Sequence, residues 1–459
     1  MKPRPIPLVE PFWQWQRRSL PVDTPPLPPG RHRVDVAVVG GGLAGLSTAY
    51  HLLRRQPGLR LVVLEAEGLA AGASGRTTGM LSPGVGQSLP ALVRRLGEQT
   101  ARALYQQTLA AVRDVQALVT AEGIDCDLQR SGQVIFARSR PQQRRLLALA
   151  QQLSALDLAA EVEILDEAAL QRRLRLPRLS RGEASDGPAA LRFPTAGIVD
   201  PLRLVLGLAQ RVAALGGQIH APSRVLSIAG LDEKTARASE PVCLQLADGH
   251  VRADRVVVAT AGYAPKLGLF SGRLLPVQLQ AVVSEPLSDA TLADLGWAER
   301  DGFLDARRVF GYFRQTADRR IVFGGARPRY AWKGGDGGPA ALSAAAAQVA
   351  ADFAQLFPDE LGIRLVGGWG GTIGYVLDAL PAIGCLPHAP RIFHAVGWCG
   401  HGVALATAAG AWLAAAMSGD ALPALPWFRS HLPKVPTELG RYLGFAATTR
   451  LMAASDAWS

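Results

Sequence analysis

Cysteine is scarce in this chain of 459 residues: only Cys126, Cys243, Cys385 and Cys399 occur. None forms a CxxC pair and none stands with histidine at the spacing of metal ligands, which argues against a disulfide scaffold and against a metal site. A reducing, cytoplasmic compartment is the natural expectation. Long apolar runs are missing too. A membrane-spanning helix needs about 20 such residues, and the best candidate, "GVALATAAGAWLAAAM", is short and Ala/Gly-rich, so it reads as a buried helix. The first residues, "MKPRPIPLVEPFWQWQRRSL", lack the apolar core of a signal peptide. Lysine is rare beside arginine, and the formal net charge is +11. The arginines are scattered, without an aromatic-plus-basic motif, so they read as a solvated surface and not as a nucleic-acid footprint.

What the chain does have is a large apolar fraction, 48%, enough for a sizeable core. Its length suggests about three compact units or fewer. Residues 1–33 are Pro-rich with Trp13 and Trp15 embedded, and read as an extended arm that packs on the body through its tryptophans. From Val34 the pattern changes. "VDVAVV" is a near-continuous apolar run, as in a strand buried on both faces. "LAGLSTAYHLLRRQ" has helical period, and "LRLVVLEA" is a second buried strand. This is a β-α-β unit. Residues 90–180 read as mostly helical around one strand, "SGQVIFARS". "VCLQLADGHVRADRVVVATAGYAP" reads as a hairpin about Asp248-Gly249 followed by a buried strand, and "LLPVQLQAVVSE" and "RVFGYFRQTADRRIVFGGA" as antiparallel strands. Nucleotide-domain signals at both ends of the chain, with antiparallel strands between, predict two interleaved α/β units. The expected division is a Rossmann-like dinucleotide domain from 34–90, 190–272 and 365–430, and an antiparallel-sheet α+β domain from 91–189 and 273–364. A tail, 431–459, follows.

Gly40, Gly42 and Gly45 form GxGxxG between the first strand and the helix that opens with Leu43 and Ala44. The first glycine permits a tight turn, the second lets backbone approach a pyrophosphate, and the third lets helix and strand pack closely. The helix N-terminus offers N–H groups and a positive dipole end. Alone, the motif is also compatible with a plain tight turn. Glu65, followed by Ala66, ends the next strand at the distance where a carboxylate accepts from ribose hydroxyls; it disfavours a 2′-phosphate. The next stretch, "GLAAGASGRTTGM", is small and polar. Ser74 and Arg76 can bond phosphate oxygens, and Thr77, Thr78, Gly79 and Met80 would run along an isoalloxazine ring. In FAD-binding oxidoreductases a segment similar to this one wraps the pyrophosphate and reaches the flavin ring, so FAD is expected over NAD, with a flexible Gly/Ser loop as the alternative.

These segments resemble the FAD-dependent amine and amino-acid oxidoreductases of the D-amino-acid oxidase superfamily. The nearest branch in pattern is that of glycine/sarcosine oxidases and gamma-glutamylputrescine oxidoreductases. The resemblance covers roughly residues 34–430. It rests on the glycine motif with its "GASGR" loop, on "GIVDPLRLVLGLAQ" leading to "SRVLSI", on "VVVATAGYAP", and on "TIGYVLDALPAIG…HAVGWCGHGVALATAAG". It implies that Val225 lies by the adenine, that Ala259, Thr260, Gly262 and Gly371 close over the cofactor, and that Gly400, His401 and Gly402 bring a helix N-terminus under the flavin pyrimidine. It also implies oxidation of an amine or amino acid by hydride transfer to flavin N5, giving an imine that hydrolyses.

The sequence departs from the sarcosine-oxidase pattern in places. Ala404 stands where some members carry a carboxylate-anchoring lysine. The region of covalent flavin attachment, "GGWGGTIG", has no cysteine, so FAD is expected to be non-covalent, and Cys399 reads as a packed residue. The loop reads "SGRTTG" where "SGRNGG" is common. Tyr312 and Arg314 alternate on one strand, Arg327 and Tyr330 follow the "FGG" turn, and Trp369 could wall a substrate pocket; core aromatics and surface arginines are the alternative reading. His401, Tyr312 and Arg327 are the catalytic candidates, with no general base named. Oxygen, a quinone or a partner protein stay open as electron acceptors. A partner-protein side chain also stays open as the substrate.

Overall fold

The structure, a computed structural model, describes residues 7–8, 10–15, 24–176, 188–231, 240–335, 337–435 and 437–457, with the side chains of Ala326, Arg327 and Ala457 outside the description. Two large sheets organise the chain. In the first, the parallel strands Ala389–Val396, Gly249–Val258, Gly30–Val39, Leu61–Leu64 and Gln218–His220 lie side by side in that order. Ala382–Leu386 is antiparallel at one edge. The continuous apolar run of the opening strand has a plain cause. Val36 and Val38 enter the core on one face, and Ala37 and Val39 enter a separate core on the other. Helices Leu43–Arg55, Pro201–Ala214 and Gly402–Met417 cover the first face. The stretch rich in alanine and glycine is a buried helix. A Cβ at Gly410 would lie 2.3 Å from Ser47 Oγ, and that hydroxyl donates to the Thr407 carbonyl at 2.6 Å. Only small residues allow helices 43–55 and 402–417 to approach so closely.

The second sheet has the order Leu365–Val376, Leu274–Ser284, Ile321–Tyr330, Tyr312–Gln315, Gly302–Asp305, Gln133–Phe136, Ala190–Phe193 and Glu163–Leu165. All neighbours are antiparallel except Gln133–Phe136 with Gly302–Asp305. The inner face, carrying Ala281, Val283, Val322 and Trp369, shares its core with the first unit. The outer face is aromatic and lies under helix Gly338–Leu356.

The expected division needs two corrections. Ala190–Phe193 and Leu365–Val376, assigned above to the dinucleotide unit, both belong to the second sheet. Leu365–Val376 is glycine-rich, and its position is decided by pairing along the whole of Leu274–Ser284, about 90 residues away. Within "SRVLSI" only Ser227–Ile228 is strand. The largely helical region also yields the short strand Glu163–Leu165. The tail carries helix Glu438–Ala457, docked by Glu438 Oε1, which accepts from Tyr330 Oη at 3.0 Å and from the Lys333 backbone N–H at 2.8 Å. All four cysteines are free thiols, and among the described residues no helix is long and apolar enough to cross a membrane.

Phe313 sits at the centre of the outer-face core, with ring centroids of Phe357, Phe303, Trp297, Phe323 and Phe136 between 5.1 and 6.2 Å away. Phe313→Ala removes the ring all of these share and should cost about 3–5 kcal/mol of unfolding free energy, read as an earlier urea midpoint. Because the ring points away from the first unit, the variant should still take up the cofactor.

Candidate active site

The first strand ends at Gly40, whose φ of +114° suits glycine. A Cβ there would meet the Ala259 carbonyl oxygen at 2.7 Å, and a Cβ at Gly45 would meet the Gly40 carbonyl oxygen at 2.0 Å. The turn is thus pressed between the end of the neighbouring strand and the first turn of helix 43–55. That turn is capped from outside: Ser74 Oγ accepts from Leu43 N–H at 3.1 Å, and a Cβ at Gly42 would lie 2.8 Å from the same hydroxyl. Ala44, next along, is buried. Glu65 stands across the turn. Its carboxylate accepts from the backbone N–H of Gly41 at 2.7 Å and of Glu67 at 3.2 Å. Burial raises its pKa above the ordinary carboxylate range, against the pull of these N–H donors. Ala66 follows it, and Val225 is buried on the same side of the sheet as Val39 and Leu64.

The segment after Glu65 runs from this cradle to the inner face of the second sheet. The Arg76 guanidinium, expected to reach phosphate oxygens, makes contacts within the protein. It donates to the carbonyls of Ala71 at 2.7 Å and Gly370 at 2.9 Å. The cause is proximity: a Cβ at Gly371 would touch Arg76 Cβ at 3.0 Å, so the strand 365–376 lies directly against this loop. Trp369 Nε1 donates to the Arg76 carbonyl at 2.9 Å, and Trp13 Nε1 to the Thr77 carbonyl at 2.8 Å. Thr78 is 4% exposed. Gly79, at φ +80°, leaves no room for a side chain, since a Cβ would lie 2.1 Å from the Val199 carbonyl oxygen. Met80 pairs with Ile198 in a two-stranded ribbon.

The far wall comes from the chain's other end. Strand Ala389–Val396 leads through Trp398, Cys399 and Gly400 to helix Gly402–Met417, with His401 at its N-cap. Burial lowers the His401 pKa, so the ring is neutral at pH 7. Cys399 is a packed thiol. Its Sγ accepts from Val376 N–H at 3.3 Å, and burial pushes it up to about 12. Thr260 and Gly262 follow the strand Gly249–Val258, and a Cβ at Gly262 would strike the Ile373 carbonyl oxygen at 2.7 Å.

The substrate candidates scatter. Tyr312 lies on the inner face with its ring over Gly324, partly exposed, and burial raises its phenol to about 12. Arg314 shares that face but is fully buried. It donates to the carbonyls of Val199 and Gln315, and Asp127 stands 3.6 Å away. Burial pushes it down to about 10. Its Nε and Nη1 are therefore committed to the protein, while Nη2, 3.6 Å from Asp127, is buried without a hydrogen-bond partner among the described residues. Tyr330 faces the tail helix, donating to Glu438 and accepting from Arg441 Nε at 3.2 Å, so it does not wall the inner face. Trp369 backs the loop and does not line open space. Arg327 lies on strand Ile321–Tyr330, and its side chain is outside the described residues. The sequence reading missed Val199 and Asp127 as partners of Arg314; neither carries a local pattern that would reveal them.

The residues suit FAD on three counts. The cradle has no room for side chains at Gly40 and Gly45. The Thr260 hydroxyl and His401 Nδ1 are buried without partners among the described residues. Glu65 keeps acceptor capacity beyond its two N–H bonds. Gly40, Gly42, Leu43 and Ser74 would hold the pyrophosphate, Glu65 the ribose, and Thr77–Met80 with Gly400–Gly402 the flavin. A raised folded pKa means the protein without FAD loses stability as pH rises through it. Glu65→Gln should therefore flatten the pH dependence of apo-protein melting above the ordinary glutamate pKa of about 4.3, and weaken FAD about tenfold or more through loss of a charged acceptor. Identical melting profiles for the two proteins would count against this.

Residues 35–416 match the family model described as FAD dependent oxidoreductase. The gamma-glutamylputrescine oxidoreductase of Escherichia coli is 28% identical over 394 residues, covering 84% of each chain. A probable oxidoreductase, OrdL, of Rhizobium meliloti is 27% identical over 409 residues, covering 88% of this chain and 87% of the relative. Among solved structures, glycine oxidase from Geobacillus kaustophilus superposes with a TM-score of 0.66 at 22% identity, covering 88% of this chain and all of that one. With the glycine cradle, the buried carboxylate beside it and the interleaved second sheet in place, this chain belongs to the FAD-dependent oxidoreductase family of the D-amino-acid oxidase superfamily.

Proposed function

We propose that this flavoenzyme oxidises the C–N bond of an amine or amino acid, with FAD held non-covalently. The observation that carries the reading is the placement of the 74–80 loop. It is clamped between the dinucleotide cradle and the inner face of the second sheet, which supports a flavin held along the loop with its substrate on the side of that sheet. Likeness to the gamma-glutamylputrescine relative supports an amine. So do two features of the site: Arg314 is already engaged, and residue 404 is a buried alanine. Both favour an amine over a small α-amino acid gripped by its carboxylate. Bound FAD supplies a two-electron acceptor, so loss of hydride from the carbon bearing nitrogen leaves an imine that water hydrolyses.

The chain's own part is binding, orientation and exclusion of water. The N-terminus of helix 402–417 places a positive dipole end at the far wall. Tyr312 keeps its proton to about pH 12, so its phenol is no base near neutrality, and burial lowers the basicity of the His401 ring. The substrate should therefore arrive as the free amine.

Anaerobic mixing with amines, amino acids and amine-bearing peptides should bleach the flavin with at least one amine. A flavin that none of them reduces would overturn the proposal. Peroxide formation in air would identify oxygen as the acceptor. For a productive amine, the reduction rate should rise with pH up to the ammonium pKa of that amine. Amines of different basicity should shift this limb; a limb that stays in place would point to a protein base.

A further inference from the structure

We propose that the N-terminal arm is part of the cofactor site, and that Trp13 is a positioning residue for the flavin-facing loop. The arm is anchored at both ends of the cradle. At one end, Leu8 bridges to Gly368 and the Pro7 carbonyl accepts from Gly368 N–H at 3.0 Å, along the edge strand of the second sheet. Phe12 stacks on Trp369 at 6.5 Å, and Trp13 lies under the Arg314 guanidinium at 5.2 Å. Both arm residues are 2% exposed. At the other end, Leu27 N–H donates to Ser223 Oγ at 2.8 Å, and Ser223 N–H donates to the Glu65 carbonyl at 2.6 Å. The described parts of the arm therefore touch the 74–80 loop at Thr77 and the residue bonded to Glu65.

The key contact is an indole on a carbonyl. Trp13 Nε1 takes the Thr77 carbonyl and Trp369 Nε1 takes the Arg76 carbonyl. Two consecutive peptide planes are thus fixed by two tryptophans, one from the arm and one from the second sheet. In a trans peptide the N–H points opposite to the C=O. With the Thr77 carbonyl turned to Trp13, the Thr78 N–H is turned away from the arm. Trp13 thus sets the direction of a backbone donor at Thr78, a residue only 4% exposed in the segment assigned to the flavin.

The inference needs FAD binding but not amine chemistry, and its test uses no substrate. Apo-protein is titrated with FAD, and the flavin absorption spectrum and the apo melting temperature are recorded. Trp13→Phe keeps an aromatic ring under Arg314, deletes the donor and gives up part of the buried indole volume. It should lower apo melting modestly, through the lost indole volume and the bond to Thr77; beyond that it should weaken FAD about tenfold, the worth of one hydrogen bond from the re-aimed Thr78 N–H, and shift the flavin spectrum. Ser223→Ala, at the other anchor, should weaken FAD without altering the spectrum. A Trp13→Phe protein with wild-type FAD affinity and spectrum overturns the proposal. So does one whose apo melting falls with FAD affinity intact, since the arm would then serve packing alone. Wild-type protein that binds no FAD would instead overturn the cofactor assignment.

Discussion

The site depends on one close contact, the Gly40 carbonyl against the first turn of helix 43–55. With no side chain at residue 45, the helix can begin within a few ångström of the strand it follows. That closeness aims the helix N-terminus at the cradle, brings Gly41 N–H onto Glu65, and lets Ser74 cap Leu43 from the following loop. Even one added methyl would separate strand and helix, and the carboxylate, hydroxyl and dipole would no longer converge on one anion.

The second constraint is the position of the glycine-rich strand 365–376. Small residues there let the flavin loop lie against its backbone, so Arg76 bonds to Gly370 and Trp369 reaches back to the Arg76 carbonyl. The strand belongs to the second sheet yet holds the 74–80 loop that starts at the cradle, which couples the two units. Charges follow the same economy. Burial would raise Asp127, but Arg300 and Arg314 outweigh it and hold its carboxyl below the ordinary range. The arginine-rich composition is thus partly structural, with guanidinium groups tied to carbonyls and carboxylates between elements.

Elements with local signals were legible. The β-α-β unit shows a strand with two buried faces, a glycine turn and an amphipathic helix in immediate succession. Resemblance extended that reading to the loop after Glu65 and to the turn before helix 402–417. The substrate candidates were not legible. Alternation along "FGYFRQT" places Tyr312 and Arg314 on one face. It cannot show that Arg314 is consumed by Val199 and Asp127, or that Tyr330 turns to a helix at the end of the chain.

By itself, the sequence determined the cradle, because its residues are neighbours along the chain and its geometry follows from backbone sterics and a short spacing to Glu65. Only the tertiary structure decided what surrounds it. Trp13 meets Thr77 across 64 residues, and Trp369 meets Arg76 across 293. Contacts at such separation leave no periodicity in the sequence; sheet register and core packing bring them together.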